Sequence, residues 1–275
     1  MPRIEAPHQI RSSRRSRSPA RKGKQLSTAR FQRASLSHGD LPHALTDDAE
    51  SPSLVRTSAL FAGLSTEECL QIAASARRRT FARDESLFMK EQPVRHVLLV
   101  RSGSIKLTQL STNGSEVILW LIGTRDVIGA LGLAAGGIHT CSARVVTDCT
   151  ALVWDYARFE GILSTSPVIR RNLCLIMSER LAELEERFRE IATEPVGKRV
   201  ALTLFRLLQR VGTYSSAGIE VSLSREELAQ MTGTTIFTIS RLISEWEKKG
   251  LVLPRRGAVV VCAPDRLLVE GSSLD

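Results

Sequence analysis

Hydrophobic residues recur at two different periods along the chain, and the change of period divides it into regions. Residues 52–75 have helical spacing, but from Arg77 to Tyr156 short runs rich in Val, Ile and Thr alternate with polar residues, which is typical of β-strands. Asn113 and Gly114, a favoured hairpin turn, separate two of these runs. Many short strands at regular spacing predict a sandwich or a jelly roll.

A long amphipathic helix is predicted to begin at Ser166, where Pro167 favours a first helical turn, and to end near Ala192. Its apolar residues recur at three- and four-residue spacing between charged flanks, which is typical of a coiled-coil dimer. The predicted dimer residues are Leu173, Ile176, Met177, Leu181, Leu184 and Phe188. Packing of this helix against its own strand region is the alternative, and both contacts can hold on different faces. Pro195 predicts a hinge between domains at residues 193–195, where the long helix ends.

Residues 224–250 predict two helices joined by a tight turn. Ser224 and Glu227 have the spacing of a capping box, and Gly233 suits the positive φ that ends a helix. In the second helix an apolar face recurs at helical spacing, while Ile236 and Phe237 lie between its members and point outward. A DNA major groove would explain that exposure. The residues that follow predict a short hairpin, which would form a wing beside the two helices, while residues 214–218 predict a loop.

These segments resemble the winged helix–turn–helix of the Crp/Fnr family of bacterial transcription regulators. The resemblance rests on Leu223–Met231, Gly233, Thr238–Leu242 and the wing, and it extends back to about Ser53. It implies an α+β fold with an N-terminal β-roll or jelly-roll sensor domain, a long dimerisation helix and a C-terminal winged helix–turn–helix domain. The predicted units are a disordered basic tail (1–50), a cyclic-nucleotide-binding-like β-roll (53–165), the dimerisation helix (166–193) and a Crp-type DNA-binding domain (194–267).

The resemblance also implies which residues contact DNA. Arg241 matches an arginine that the family places on guanine, where two donors meet O6 and N7. Phe237 departs from the family, which commonly carries Glu here; a phenyl ring can contact a thymine methyl but cannot accept from cytosine. Inward packing of Phe237 is the alternative. The predicted DNA contacts are Ser224, Arg225, Thr235, Ile236, Phe237, Thr238, Ser240, Arg241, Arg255 and Arg256.

An effector pocket is implied by the same resemblance. Its predicted residues are Gly129, Ala130, Leu131, Gly132, Thr140 and Cys141. Ala130 stands where cyclic-nucleotide-binding members have a ribose-binding Glu, and Thr140 and Cys141 stand where they have a phosphate-binding Arg and Ser. Because the anion would lose a guanidinium contact, we expect an effector other than cyclic AMP.

The sequence offers few candidate ligands for a cofactor. The five cysteines are scattered without close spacing, so an iron–sulfur cluster is not expected. Haem remains open, with His96 and His139 as candidate ligands and a surface position as the alternative for each. Cys141 or Cys149 as a redox-sensitive thiol is a further option, against which a buried strand cysteine is favoured. A regulator without a small effector is also open.

Charge and composition restrict the class of protein. The net charge of +9 is concentrated in residues 1–33, which hold ten basic residues and one acidic residue, while the remaining 28 basic and 28 acidic residues cancel. DNA binding by the body of the protein therefore depends on a local patch. The basic tail is either a solvated low-complexity segment or a phosphate-binding arm. The absence of a membrane-length apolar run, of a secretory signal and of a disulfide framework predicts a cytoplasmic protein.

The predicted function is sequence-specific transcription regulation by a homodimer that binds a roughly palindromic DNA site, with RNA polymerase as a further partner. An enzyme is not expected, because the sequence has no Ser–His–acid pattern, metal motif or phosphate loop. The alternative is a cyclic-nucleotide-binding-type module that regulates by protein interaction and not by DNA binding. That alternative would require an effector domain in place of the winged helices.

Overall fold

The computed structural model describes residues 50–272, so the predicted tail at 1–50 lies outside the described residues except for its last position. Three short helical elements come first: α1 (Glu50–Thr57), a 3₁₀ turn (Ala59–Phe61) and α2 (Thr66–Ala74). Ser65 and Glu68 form a reciprocal capping box that begins α2. The turn buries Phe61, whose ring centre lies 6.0 Å from that of Trp154.

An antiparallel sheet, here called the β-roll, follows. Its strands are β1 (Arg77–Phe81), β2 (Ser86–Phe88), β3 (His96–Leu110), β4 (Glu116–Ile122), β5 (Val127–Ile128) and β6 (Ser142–Asp155), with helix α3 (Ala130–Ala134) between the last two. The order is β1-β6-β3-β4, with β2 on β6 and β5 on β3. The turn predicted at Asn113 and Gly114 joins β3 to β4.

Two details of the β-roll differ from the sequence prediction. The segments 141–147 and 150–156, predicted as separate strands, form the single strand β6, which bends through register shifts opposite β3. At this bend Gly103 has a φ of 83°, and a Cβ there would lie 2.3 Å from the carbonyl oxygen of Asp148. Only glycine allows that approach. Gly132, expected in a turn, lies within α3.

Three helices connect the β-roll to the rest of the chain. They are α4 (Tyr156–Thr165), α5 (Pro167–Thr193) and α6 (Val196–Val211). As predicted, Ser166 caps α5: its Oγ accepts from the backbone N–H of Ile169 at 3.3 Å. With 27 residues, α5 is about 40 Å long at 1.5 Å per residue. Within residues 50–272, no helix combines the length and apolar character that a membrane crossing requires.

The C-terminal part, α6 onward, is here called the winged half. It continues with β7 (Thr213–Ser215), β8 (Gly218–Val221), α7 (Arg225–Thr232), α8 (Ile236–Lys248), β9 (Val252–Arg255), β10 (Ala258–Val261) and α9 (Pro264–Gly271). The wing hairpin β9–β10 pairs with β8, as expected. The prediction of a loop at 214–218 is wrong, because β7 pairs with β8 there. Helix α9 was not predicted.

The hydrophobic cores show how the two halves meet. The β-roll has one core between its strands and a second against α1, α2, α4 and α5. The core of the winged half includes Ile118 and Leu121 of β4 and Val146 of β6. The outer face of the β-roll therefore completes the core of the winged half. The predicted α+β architecture is confirmed.

Candidate nucleic-acid interface and effector cavity

Local hydrogen bonds fix the turn between α7 and α8. Ser224 Oγ accepts from the Glu227 backbone at 3.1 Å, and Glu227 Oε2 accepts from the Ser224 backbone at 2.9 Å. Gly233 ends α7 in the left-handed conformation, with a φ of 63°. Thr235 Oγ1 then accepts from the backbone of Thr238 at 3.2 Å and begins α8. Side-chain caps therefore begin both helices of the predicted helix–turn–helix, and a glycine in the left-handed conformation ends the first.

Helix α8 has one buried face and one exposed face. Its buried residues, at most 1% exposed, are Ile239, Leu242, Ile243 and Trp246. On the opposite side Ile236 is 42% exposed and Phe237 is 83% exposed. Inward packing of Phe237, the alternative considered for it, is therefore wrong. The outer face presents an apolar surface at the N-terminal end of α8, where helices of this motif contact base edges.

Polar side chains flank this apolar surface. Arg241 Nη1 lies 3.2 Å from Glu245 Oε1, and the Arg241 side chain is 57% exposed. Arg225 of α7 reaches across the turn to 3.5 Å from Ser240 Oγ. Exposed ion pairs of this kind stabilise a protein by roughly 0–1 kcal/mol, so Arg241 can exchange Glu245 for another acceptor at little cost.

The wing carries two further predicted contacts. Arg255 Nη1 lies 2.5 Å from Glu220 Oε2 of the neighbouring strand β8. Arg256 is exposed at the turn between β9 and β10. The carboxylate fixes Arg255 beside the hairpin, while Arg256 extends from its tip.

A cavity of about 290 Å³, here called the inner cavity, lies between the β-roll and α5. The predicted residues that line it are Gly129, Leu131, Gly132, Thr140 and Cys141. Ala130 does not line it, because this side chain is 2% exposed and packs into the core against α5. Gly129 has a φ of 89°, and a Cβ there would lie 2.6 Å from the His96 carbonyl oxygen. The close approach of these two segments therefore requires a glycine.

Sequence reasoning missed Arg180, which enters the inner cavity from α5. Its guanidinium carbon lies 5.7 Å from the ring centre of Trp120, and burial lowers the pKa of Arg180. Within the described chain, no hydrogen bond to its guanidinium is formed. Arg180 lies three residues after Met177 and four before Leu184, so helical spacing along the predicted dimer residues could have located it.

The two candidate haem ligands, His96 and His139, line the same cavity of the β-roll but differ in their contacts. His139 is 5% exposed and stacks on Phe88, so a surface position is wrong for it. His96 Nδ1 lies 3.1 Å from Asp155 Oδ1. Across residues 50–272, no three His, Cys, Asp or Glu side chains form a group that could hold a metal ion. Neither histidine is therefore part of a wider set of metal ligands in that range.

The two cysteines considered as thiol switches lie in the β-roll. Cys149 is buried, and burial raises its pKa to about 11. Burial also raises the pKa of Cys141, although nearby Arg180 opposes that shift. Since the thiolate is the reactive form, both environments favour an unreactive thiol.

Two polar contacts connect the β-roll and α5 to α7. Arg187 of α5 donates to the carbonyl oxygen of Leu119 in β4 at 2.5 Å and to that of Met231 in α7 at 2.9 Å. Lys106 Nζ of β3 lies 3.2 Å from Glu227 Oε1, the capping residue of α7. Movement of α5 or β4 would therefore act directly on the first helix of the helix–turn–helix.

Comparison with known families gives two matches along the chain. Residues 78–166 match the family described as cyclic nucleotide-binding domain. Residues 198–269 match the family described as Crp-like helix-turn-helix domain. The first match covers β1 to α4, and the second covers α6 to α9, including the outward face of α8.

Individual relatives match most of the chain. The CRP-like cAMP-activated global transcriptional regulator of Mycobacterium tuberculosis is 23% identical over 216 residues, which cover 78% of this chain and 96% of the relative. The cyclic AMP receptor protein of Thermus thermophilus is 27% identical over 207 residues, 75% of this chain and 94% of the relative. The solved structure of the c-di-GMP responsive regulator CLP of Xanthomonas campestris covers 72% of this chain and 99% of its own, with a TM-score of 0.60 at 22% identity, which supports the fold.

Proposed function

Since the chain belongs to the Crp/Fnr family of transcription regulators, we propose that it binds a roughly palindromic DNA site as a homodimer and responds to an effector other than cyclic AMP. DNA binding and transcription regulation follow from membership itself, and the relatives are regulators and not enzymes. The proposal concerns three further points: that the chain forms a homodimer, which DNA half-site it binds, and which effector it responds to. RNA polymerase is proposed as a further partner.

The observation that carries the proposal is the outward face of α8. Phe237 is 83% exposed and Arg241 is more than half exposed, while the opposite face of the helix is buried. An exposed phenyl ring beside an arginine suits a major groove, where the ring contacts a thymine methyl and the guanidinium contacts guanine O6 and N7. The proposed half-site therefore contains a guanine and a neighbouring thymine. Ser224, Arg225, Arg255 and Arg256 are proposed to contact phosphates.

The proposal of a homodimer is supported by α5. Met177, Leu181, Leu184, Phe188 and Ile191 are all at least 38% exposed and lie at three- and four-residue spacing. A continuous apolar stripe of this kind is the pattern that pairs helices in a coiled coil. Two protomers paired along it would present two α8 helices to successive major grooves of one DNA face.

The inner cavity supports an effector other than cyclic AMP. Ala130 is buried away from it and provides no carboxylate for a ribose, and Thr140 and Cys141 provide no guanidinium for a phosphate. Arg180 is the cation in the cavity lining, and it approaches from the helix side over Trp120. The lining is otherwise largely apolar, which favours a ligand with an apolar body.

Selection of bound sequences from a random DNA pool, followed by affinity measurements on the selected site, tests the proposal. We expect Arg241→Ala to weaken binding by about 1–3 kcal/mol, mainly through one guanine position. Arg266→Ala is the matched control, because Arg266 is exposed on α9, which packs against α6. Wild-type affinity in Arg241→Ala would contradict the DNA interface. A micromolar cyclic AMP site found by calorimetry would contradict the effector assignment and leave the interface intact.

A further inference from the structure

A second cavity is lined by residues of β1, β2, β3, β6 and the loops beside them, and by none of the winged half. This outer cavity has a volume of about 500 Å³, within the range of small-molecule sites. Phe81, Phe88, Leu98 and Val153 provide apolar and aromatic walls. None of the predicted effector-pocket residues lines it, but both candidate haem ligands, His96 and His139, do.

The wall between the inner and outer cavities is a pair of stacked rings. The ring centres of Phe88 and His139 are 3.5 Å apart, with an angle of 4° between the planes, and both residues line both cavities. The backbone of His139 is fixed by two hydrogen bonds, one from the Glu91 N–H at 2.8 Å and one to the Gln92 carbonyl oxygen at 2.9 Å. The ring is therefore held in place from its backbone side.

Within residues 50–272 the imidazole of His139 stacks on Phe88 but makes no side-chain hydrogen bond, although the residue is only 5% exposed. Buried polar side chains are normally hydrogen-bonded, so one that borders a cavity and lacks a partner indicates a ligand. Burial lowers the pKa of His139 to about 4, so the ring is neutral near pH 7. A neutral imidazole donates from one nitrogen and accepts at the other, which suits a hydroxyl group.

Besides His139, the polar lining of the outer cavity consists of two arginines, one carboxylate and three uncharged or weakly basic side chains: Arg79, Arg95, Glu85, Ser86, Gln92 and His96. Arg79 and Arg95 are exposed at it, and neither pairs with a carboxylate within residues 50–272. The guanidinium of Arg79 lies 4.8 Å from the ring centre of Phe81. Glu85 is the carboxylate in the lining, and its Oε2 accepts from the backbone of Ala82 at 3.0 Å. The rim therefore offers two guanidinium groups to an incoming anion.

We propose that the outer cavity binds a small hydroxylated aromatic carboxylate. Its carboxylate would meet Arg79 and Arg95 at the rim, its ring would lie among Phe81 and Phe88, and its hydroxyl would hydrogen-bond to the His139 imidazole. Because the Phe88–His139 pair also borders the inner cavity, this pair of rings would separate the bound acid from the proposed effector position. None of the proposed DNA contacts lines the site, but it shares the Phe88–His139 wall with the inner cavity.

The test is binding of 4-hydroxybenzoate to the full chain, measured by ligand-observed NMR and by calorimetry. Benzoate lacks the hydroxyl group and 4-hydroxybenzamide lacks the charge. We expect 4-hydroxybenzoate to bind, and the amide to bind at least about tenfold more weakly because it loses the charge-assisted contact. Arg79→Gln combined with Arg95→Gln should reduce affinity for the acid by a similar factor. His139→Phe keeps a stacking ring and should remove the preference for 4-hydroxybenzoate over benzoate.

Two matched substitutions locate the bound acid. Arg83→Gln removes a cation of the same region whose side chain is 61% exposed and does not line the cavity, and we expect unchanged affinity. Arg180→Gln removes the cation of the inner cavity, and the affinity should also be unchanged. The proposal is overturned if 4-hydroxybenzoate does not bind, if the amide binds equally well, or if Arg180→Gln abolishes binding while the Arg79 and Arg95 variant retains it.

Discussion

His139 is a buried imidazole whose neutral form the fold requires. It is 5% exposed, and desolvation is what lowers its pKa from 6.5 to about 4. Charged side chains line both cavities that His139 borders, Arg79, Glu85 and Arg95 in the outer one and Arg180 in the inner one, but desolvation alone accounts for the lowered pKa. Protonation would therefore place an uncompensated charge inside the β-roll.

This burial predicts a specific dependence of stability on pH. Above pH 6.5 the imidazole is neutral in the folded and unfolded chains. Between pH 6.5 and about 4 the unfolded chain binds a proton that the folded chain does not, so the free energy of unfolding falls as the pH falls. We expect His139 to account for a loss of roughly 3 kcal/mol by pH 4. Denaturant unfolding at a series of pH values measures it.

The control for this prediction is His139→Phe, which keeps an aromatic ring against Phe88 but has no proton to bind. The variant should lose less stability between pH 6.5 and 4 than the wild type. Equal losses in the two proteins would show that other groups determine the acid sensitivity.

At the scale of the element, the first part of α5 packs against its own β-roll, while its later apolar residues are exposed. Leu173 and Ile176, both predicted to contact a second subunit, pack instead into the core formed with α1, α2 and α4. Met177, Leu181 and Phe188 leave that core and are exposed. The alternative considered for this helix, packing on its own strand region, therefore applies to its first part, and the exposed stripe begins at Met177.

We expect Phe188→Glu to shift the proposed dimer to monomers. Phe188 is 75% exposed in one protomer, so its burial would take place between subunits, and a carboxylate there would be desolvated beside its symmetry mate. Loss of a buried aromatic contact of this kind costs about 2 kcal/mol or more, which weakens association at least about thirtyfold. Sedimentation over a concentration series measures the change.

Ala182→Glu is the matched control, because it adds the same carboxylate at an exposed position on another face of α5. Its self-association should equal that of the wild type. A dimer that Phe188→Glu leaves intact would place the subunit interface elsewhere.

Elements with strong local signals were predictable from the sequence. The capping box of α7 and the buried face of α8 depend on spacing within one segment, and the structure has them as predicted. Features that depend on distant residues were not predictable. Gly103 allows β6 to continue past β3. Helical spacing could have placed Arg180 on the face of α5 that carries Met177 and Leu184, but its entry into the inner cavity depends on strands far away in the sequence. Helix α9 is short, and its cue, Pro264 in a first turn, is weak alone.

At the scale of the whole molecule, the β-roll and the winged half are connected by polar contacts with little exposure. Lys106 is 12% exposed in its side chain and lies near both Glu116 and Glu227, the latter 18% exposed. Because Glu227 also caps α7, the ion pair connects the strand directly to the start of the helix–turn–helix. Arg187 of α5 also connects the two parts, because its guanidinium donates hydrogen bonds to backbone oxygens of both β4 and α7.

A double-mutant cycle with Lys106→Met and Glu227→Gln should give a coupling energy of about 0.5–3 kcal/mol, because the pair is largely shielded from water. The comparison pair is Lys198 and Glu194, which are four residues apart; Lys198 is 34% exposed in its side chain against 12% for Lys106, so we expect a smaller coupling energy. Equal values in the two cycles would mean that the contact between the β-roll and α7 is no stronger than a surface pair.

The shared core also has a consequence for chimeric regulators. Ile118 is 0% and Leu121 1% exposed because they face the winged half. They are part of the β-roll by sequence but part of the winged half by packing. A fusion that joined residues 194–272 to an unrelated sensor would leave α6 and α7 without this cover. Exchange of sensors within the family therefore requires that the outward side chains of β4 be transplanted together with the DNA-binding part.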